Sequence, residues 1–424
     1  MPYKVIVAHP GRQHSFQTAA ALKHSDMLCK YVTTIYDSDS SLLMKILKQV
    51  LPEKELQRAA GRKSEELEDR DVLCFCETSG FIEVLLNRID KKRKIYRWWH
   101  DRLSDRFGRK IALLAIREQA DAVIMYDTTA KKCFEILKTR APNIVRAMDC
   151  SAANRIYMRQ VYQNDAQHSP TFAQRILRER GHLSNDRYCQ RLTEEMSATE
   201  LFLAPSYFVK KSLEYSGVRE SQILLCPYGT NFSPVFLQRE VNWNRPLQAL
   251  YVGNATAMKG IHYLLQAVDR LQGKVELTIV GGYDNSDHLF DPYLKSVHFV
   301  GRVPHGAVQD YLRKADVFVF PSLGEGLSLS VLEAMSYSLL CIVSENSGAN
   351  DAIEDGVNGF VIAPHSVDAI VEKLIWCCEN RDKLPEMGQA AYKAATQYTW
   401  KIYGERLTAT LNDYLTKRAT KCMD

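Results

Sequence analysis

Two glutamates stand eight residues apart in the stretch Phe318-Val-Phe-Pro-Ser-Leu-Gly-Glu-Gly-Leu-Ser-Leu-Ser-Val-Leu-Glu-Ala-Met335. Glu325 lies between Gly324 and Gly326, and Glu333 follows within an apolar pattern. Val317 to Phe320 read as a short buried strand, which Pro321 stops. Leu329, Leu332, Met335 and Leu339 recur at spacings of three and four, a helix pattern. A carboxylate is thus expected on a glycine turn just ahead of a helix N-terminus. Free N–H groups and the positive dipole end of such a terminus suit phosphate. A plainer reading stands beside it: Ser330 and Glu333 have capping-box spacing, so Glu333 could simply cap the helix.

Further groups could take part. His9-Pro-Gly-Arg-Gln-His-Ser15 reads as the exit loop of a first strand, Lys4 to Ala8, with a helix from Phe16 to Lys23. Its two histidines could be read as metal ligands or as loop residues of which one lines a cleft. No GxGxxG dinucleotide fingerprint is present. Asp127 and Asp149 end the strand patterns Ala122–Tyr126 and Ile144–Met148. Open parallel sheets bind ligands beyond the carboxyl ends of their strands, which makes Asp149, with Asn154 nearby, a cleft candidate. A helix-capping Asp149 is the alternative.

These residues must be positioned by alternating strands and helices. After a stretch with two prolines at 232–247, a second strand set opens at Gln248–Val252. It continues with strands Val275–Val280, His298–Val300, Val317–Phe320, Cys341–Ser344 and Gly359–Ile362. Helix patterns alternate with them at Ile261–Leu271, Ala307–Lys314, Ser330–Ser338, Ala349–Glu354 and Val367–Cys378, and Tyr398–Lys417 reads as a last helix. Alternation of this kind means parallel sheet. In the first half, residues 42–70 read as a helical hairpin, Asp71–Cys76 as a strand, and 159–190 as polar and helical.

At 424 residues the chain exceeds one ordinary core, so two α/β domains facing a cleft are expected. No apolar run is long enough to span a bilayer, and the N-terminus runs straight into a strand pattern. Eleven scattered cysteines without metal spacing point to free thiols in a reducing cytoplasm. Residues 1–240 hold 38 Lys and Arg against 29 Asp and Glu, and residues 241–424 hold 17 against 21. The basic half implies an acidic partner on that side.

Residues 91–110, Lys91-Lys-Arg-Lys-Ile-Tyr-Arg-Trp-Trp-His-Asp-Arg-Leu-Ser-Asp-Arg-Phe-Gly-Arg-Lys110, concentrate that charge: nine cations against two acids, with Tyr96, Trp98, Trp99 and Phe107 interleaved. An anionic lipid surface attracts such a segment. Nucleic acid fits electrostatically, but no recognition motif accompanies it. A strand at Ile95–Trp99 with core aromatics and solvated charges is the structural alternative.

Several segments together resemble the GT-B glycosyltransferases of family 4, retaining enzymes that use nucleotide sugars. Tyr251-Val-Gly-Asn-Ala-Thr-Ala-Met-Lys-Gly260 is similar to the family's phosphate segment, and Phe299-Val-Gly-Arg-Val303 to its nucleotide-base loop. Glu325-x7-Glu333 is its signature, and Ser347-Gly-Ala-Asn-Asp351 to Phe360 its usual sequel. Ala204-Pro-Ser206 and Pro227-Tyr-Gly-Thr-Asn231 resemble its segments ahead of the linker. The resemblance implies two Rossmann-like parallel-sheet domains around a central cleft. An acceptor-side domain would span residues 1–235 and a nucleotide-sugar domain 236–398. A helix at 399–424 would cross back to the first domain.

The resemblance also assigns roles. Lys259 would pair with the diphosphate, with Gly253 and Asn254 in the same segment, and Arg302 and Val303 would border the base. Gly326, Leu327, Ser328 and Leu329 would supply backbone donors. Glu333 would accept from the ribose hydroxyls and Glu325, a catalytic residue with Asp149, from those of the transferred sugar. Gly11 would approach the diphosphate from the other domain. Three departures stand out: Asn254 replaces the family's arginine, Gly11-Arg-Gln-His replaces its Gly-Gly, and Asp149 or His100-Asp101 occupies the place of its cleft histidine.

The expected activity is metal-independent transfer of a hexose-type sugar, with retention, to a glycan or glycolipid hydroxyl in cell-envelope polysaccharide synthesis. No cofactor and no nucleic acid are implied. The place would be the cytoplasm, at the inner face of the plasma membrane where residues 91–110 dock. Two rivals remain: a metal-dependent GT-A enzyme reading Asp37-Ser-Asp39 or Asp69-Arg-Asp71 as its metal motif, and an inactive GT-B module that binds a glycan, membrane surface or partner.

Overall fold

The computed structural model describes residues 2–11, 13–37, 63–90, 93–180, 183, 185–230 and 236–421. Arg12, Asp39 and most of the expected hairpin at 42–70 lie outside the described residues. Two all-parallel sheets form the frame. The first holds β1 (Val5–Ala8), β2 (Leu28–Thr33), β3 (Val72–Cys74), β4 (Ala122–Tyr126), β5 (Val145–Asp149), β6 (Leu201–Ala204) and β7 (Ile223–Leu225), in the order β3-β2-β1-β4-β5-β6-β7. The second holds β8 (Leu247–Val252), β9 (Val275–Val280), β10 (Val297–Gly301), β11 (Val317–Phe320), β12 (Leu340–Ser344) and β13 (Gly359–Ile362), in the order β10-β9-β8-β11-β12-β13.

The apolar runs explain these strands. β1, β4, β5, β6, β11 and β12 are buried along their whole length, as strands covered by helices on both faces must be. Each sheet has one reversal of strand order, between β1 and β4 and between β8 and β11. A crevice opens outside the carboxyl ends of strands at such a reversal. The loops leaving β8 and β11 carry Lys259 and Glu325, so the topology alone sets these two side by side.

The last helix, Trp400–Lys421, returns to the first domain as expected. Its Tyr403 hydroxyl bonds Thr18 at 2.8 Å, and Tyr3 meets Thr416 at 3.2 Å. Arg418 reaches Glu200 at 2.6 Å.

Four helices depart from the sequence-based expectations. Ile95–Trp99 form no strand: helix Lys94–Glu118 runs through them. Helix Glu77–Ile89 precedes it, and Lys131–Arg140 and Leu384–Ala395 are helical as well. At 349–354 only a short 3-10 turn, Asn350–Ala352, forms. Asp71 of the alternative metal motif accepts from Lys23 at 2.7 Å, and among the described residues no cluster of acids, histidines and cysteines could hold a metal ion.

Candidate active site

Lys259 and Glu325 form an ion pair, Nζ to Oε1 at 2.7 Å. Local glycines make the pairing possible. Gly260, at φ +66°, caps the turn that carries Lys259 and starts helix Ile261–Arg270. A Cβ there would overlap the carbonyl oxygen of Pro321, the residue that ends β11. The two loops therefore touch backbone to backbone. The Lys259 ammonium also lies 5.0 Å from the centre of the Phe320 ring, a cation–π contact that helps fix its position.

Glu325 is held on its turn by its own N–H, which donates to Asn346 O at 3.0 Å. The flanking glycines face the first domain. A Cβ on Gly326 would overlap Ser151 O, and one on Gly324 would collide with Met158. Ser206, in the first domain, donates to Gly326 O at 2.6 Å, and Asp351 accepts from Tyr207 N at 2.7 Å. The Gly-Glu-Gly turn thus sits where the two domains meet, and glycine permits that approach.

Glu333 lies inside helix Leu329–Ser336 and is 5% exposed. The helix N-cap is Ser328, whose side chain makes no capping bond. Glu333 does not reach back to close a capping box, and its Oε1 has no hydrogen-bond partner among the described residues. Burial raises its pKa from the ordinary carboxylate range to about 7. A buried carboxylate oxygen without a partner costs free energy and is otherwise rare. Leu327 and Ser328 are buried ahead of the helix, and Leu329 at its start is exposed. The first N–H groups of the helix have no intrahelical acceptor and are available to an anion.

Asn254, where a family arginine was expected, is exposed and adjoins Arg302. Arg302 Nε and Asn254 Oδ1 crowd one point over Gly282, at 2.6 and 3.0 Å from where a Cβ would stand. The guanidinium therefore approaches the place of the missing cation from the loop after β10. Val303 follows on that loop, half-buried. Gly253, at φ +151°, sits below, with the Lys259 Cδ 3.6 Å from its would-be Cβ.

On the first domain, Gly11 N donates to His9 Nδ1 at 2.9 Å. Burial lowers the His9 pKa to about 4, so the ring is neutral and accepts that bond. A Cβ on Gly11 would come 3.3 Å from His9 Cε1, so the loop is shaped by its own histidine. Asp149 ends β5 as expected, but it is 1% exposed. It accepts from the Tyr228 hydroxyl at 2.5 Å and lies 3.1 Å from His14 Nε2. Both carboxylate oxygens are engaged within the protein, Oδ1 by Tyr228 and Oδ2 by His14. His14 is part-exposed beside it. Trp400 stacks on it, with ring centres 6.4 Å apart. His100 pairs with Glu83 at 2.6 Å between two helices.

A brace links the halves behind the site. Asp165, buried in helix Arg155–His168, meets His262 at 3.3 Å, Tyr263 at 2.6 Å and His365 at 3.2 Å, all three from the second half. Glu179 accepts from Ala257 N at 3.0 Å and so anchors the turn that presents Lys259.

Residues 236–394 match the family model of the glycosyl transferases group 1. That stretch of the second half is similar to a group 1 glycosyltransferase domain. The chain's whole architecture is GT-B: sucrose-phosphate synthase from Thermosynechococcus elongatus superposes with a TM-score of 0.66 over 98% of this chain and 100% of that one, at 16% identity. An Anabaena protein, HepE, solved with UDP and glucose, superposes at 0.57 over 97% and 100%, at 14% identity. Among curated relatives, a sulfoquinovosyl transferase of Arabidopsis thaliana is 28% identical over 50% of this chain and 46% of its own length. A putative teichuronic acid biosynthesis glycosyltransferase of Bacillus subtilis is 32% identical over 34% and 38%. The match thus spans about half or less of these curated relatives. The matched residues include the Lys259–Glu325 pair, Glu333 and Arg302.

Proposed function

We propose that this chain moves a hexose-type sugar from a nucleoside diphosphate to an acceptor hydroxyl, with retention and without a metal. One observation carries the reading: Lys259 and Glu325 pair at the β8/β11 reversal, and the helix that follows Glu325 holds a second, buried carboxylate, Glu333, whose Oε1 is unpartnered among the described residues. A diphosphate needs a cation and N–H donors, which Lys259, Arg302 and the start of helix Leu329–Ser336 supply. Glu333, when ionised, accepts from the two ribose hydroxyls. Glu325 accepts from hydroxyls of the transferred sugar, and Lys259 is then shared with the phosphate. Gly11 borders the phosphates from the first domain.

In the proposed step the bond from the anomeric carbon to the leaving phosphate oxygen breaks. The acceptor oxygen bonds the same face of that carbon, and its proton passes to the departing phosphate. Cations that stabilise the growing negative charge supply the catalysis, and no protein nucleophile is invoked. Asp149 acts as a positioning residue for His14 on the acceptor side. Contact between the domains at Gly326 and Ser151 excludes water from the reacting centre. The acceptor class is a glycan or glycolipid of envelope polysaccharide synthesis, met at a cytoplasmic face.

A thermal-shift screen against UDP-, GDP-, ADP- and dTDP-sugars tests the donor class, because a specific ligand stabilises by mass action. One nucleotide is expected to stand out. Transfer or donor hydrolysis should then vanish in Glu325→Ala with the melting temperature retained. The second reading, an inactive binding module, rests on Asn254. It is favoured if no nucleotide sugar stabilises the chain.

A further inference from the structure

We infer that the helical hairpin Glu77–Glu118 is a docking face for an anionic lipid bilayer, standing beside the cleft. Helix Lys94–Glu118 carries Ile95, Trp98, Arg102, Arg106, Arg109, Leu113, Ile116 and Arg117 at intervals that place them within one stripe about 100° wide. All eight are exposed. Trp98 is 52% exposed, and Arg102 lies over its ring at 4.3 Å, so the most exposed large aromatic of the stripe is already paired with a cation.

The helix's acids are kept off this stripe. Asp105 and Asp101 lie on the adjoining flank and face Arg191 at 2.8 and 3.5 Å. The neighbouring helix Glu77–Ile89 adds Ile82, Leu85 and Ile89, spaced three and four apart and all exposed. The inner faces of the two helices hold each other: Trp99 Nε1 donates to Ser79 O at 2.9 Å, and His100 meets Glu83. Exposed apolar residues are thus a separate set from those that hold the hairpin together. Arg117, at the far end of the stripe, is paired with Glu118 at 2.8 Å, and the rest of the patch, large apolar side chains interleaved with Arg102, Arg106 and Arg109, matches a bilayer interface with anionic headgroups.

The hairpin's position fits this use. A Cβ on Gly108 would come 2.9 Å from Cys133 N, at the start of the helix that follows β4. Gly80 lies against Thr34, just beyond the carboxyl end of β2. Both helices therefore cross the sheet at its carboxyl edge. Ile89, Ile95 and Trp98 are exposed where the end of the first helix and the start of the second lie close in sequence. The inference stands apart from the proposed activity, because membrane binding is read without any donor.

The test is co-sedimentation of the full chain with vesicles of phosphatidylcholine alone and of phosphatidylcholine with equal phosphatidylglycerol. Binding is expected only to the anionic vesicles at about 0.1 M salt, with release at about 0.5 M. Ile95→Ser with Trp98→Ser should weaken it about tenfold. Arg102→Glu, Arg106→Glu and Arg109→Glu together should weaken it about a hundredfold. A control with Lys274→Glu, Lys295→Glu and Lys314→Glu, exposed on the second half, should change it less than about twofold. All substituted side chains are exposed, and circular dichroism checks the fold. Should the triple arginine variant misfold, Arg106→Glu alone still has to weaken binding measurably. The inference is overturned by absence of binding to anionic vesicles, by equal losses in the control, or by stripe-dependent binding of RNA without vesicle binding.

Discussion

Lys259 Nζ and Glu325 Oε1 are 2.7 Å apart, although they leave two different strands, and the contact exists because Gly260 lies on the backbone of Pro321. Both side chains are about one-fifth exposed, 21% and 19%. A pair so placed contributes at most about 1 kcal/mol to stability. In the proposed function its use is to hold the lysine in place and balance its charge before a donor binds.

Replacing the carboxylate should separate two effects. Glu325→Gln leaves Lys259 without its partner, so affinity for the bare nucleoside diphosphate should hold or rise about threefold. Turnover should fall at least about a hundredfold, because the amide has lost the charge that accepts from the sugar hydroxyls. Calorimetry of the diphosphate and a transfer assay read the two numbers independently.

The glycine at the foot of that pair has a steric test. Gly260→Ala combines a positive φ with overlap of Pro321 O and should cost about 3 kcal/mol or more. Gly217→Ala, at φ +88° with nothing within 4 Å, should cost only about 1 kcal/mol. Urea denaturation of both variants gives the comparison. Equal costs would mean that the Gly260–Pro321 contact is not as drawn.

Glu333 sets a pH dependence. Its pKa is about 7 in the folded chain and near 4.5 when exposed, so the unfolded state releases its proton first as pH rises. Stability is full below about pH 4.5, declines between there and about pH 7, and stays lower above. Glu333→Gln removes this loss and should stabilise the ligand-free chain by about 2 kcal/mol at pH 8. Donor affinity should move the other way. In the parent it should strengthen from pH 6 to pH 8 as Glu333 ionises, whereas in Glu333→Gln it should be weak and flat. Thermal melts and titrations across this range decide both.

Closure between the halves depends on Gly326. Gly326→Ala places a Cβ into Ser151 O across the domain boundary. Secondary structure should be retained and nucleotide affinity should change less than about threefold, since the phosphate and ribose groups lie in the second half. The radius of gyration by small-angle scattering should rise and kcat should fall at least about tenfold. Unchanged scattering with full activity would show that the contact is dispensable.

The residues that could be read from sequence are those whose cause is local. β11 and β12 are uninterrupted apolar runs, and the strand, glycine turn and helix around Glu325 follow one another within a few residues. What stayed hidden depends on distant partners. Asp149 contacts His14 from 135 residues away and Tyr228 from 79, so nothing in its neighbourhood tells that its carboxylate is occupied. The pair His9 and His14 in one loop was the available signal. Helix Lys94–Glu118 was obscured by composition: tryptophan, tyrosine and isoleucine at Ile95–Trp99 favour a strand locally, and tertiary packing against Ser79 and Cys133 decides for the helix. The capping-box reading of Ser330 and Glu333 failed by register, because the N-cap is Ser328.

The central claim is that the second half holds a nucleoside diphosphate sugar through Lys259 and Arg302. Its most direct test is calorimetric titration of the full chain with UDP-, GDP-, ADP- and dTDP-sugars, beside Lys259→Ala and Arg302→Gln. One nucleotide sugar should bind the parent in the micromolar range, on the order of −8 kcal/mol. Each substitution should weaken it at least about tenfold, with melting temperature in the absence of donor unchanged. Binding of none of the four, or binding indifferent to both substitutions, would contradict the account.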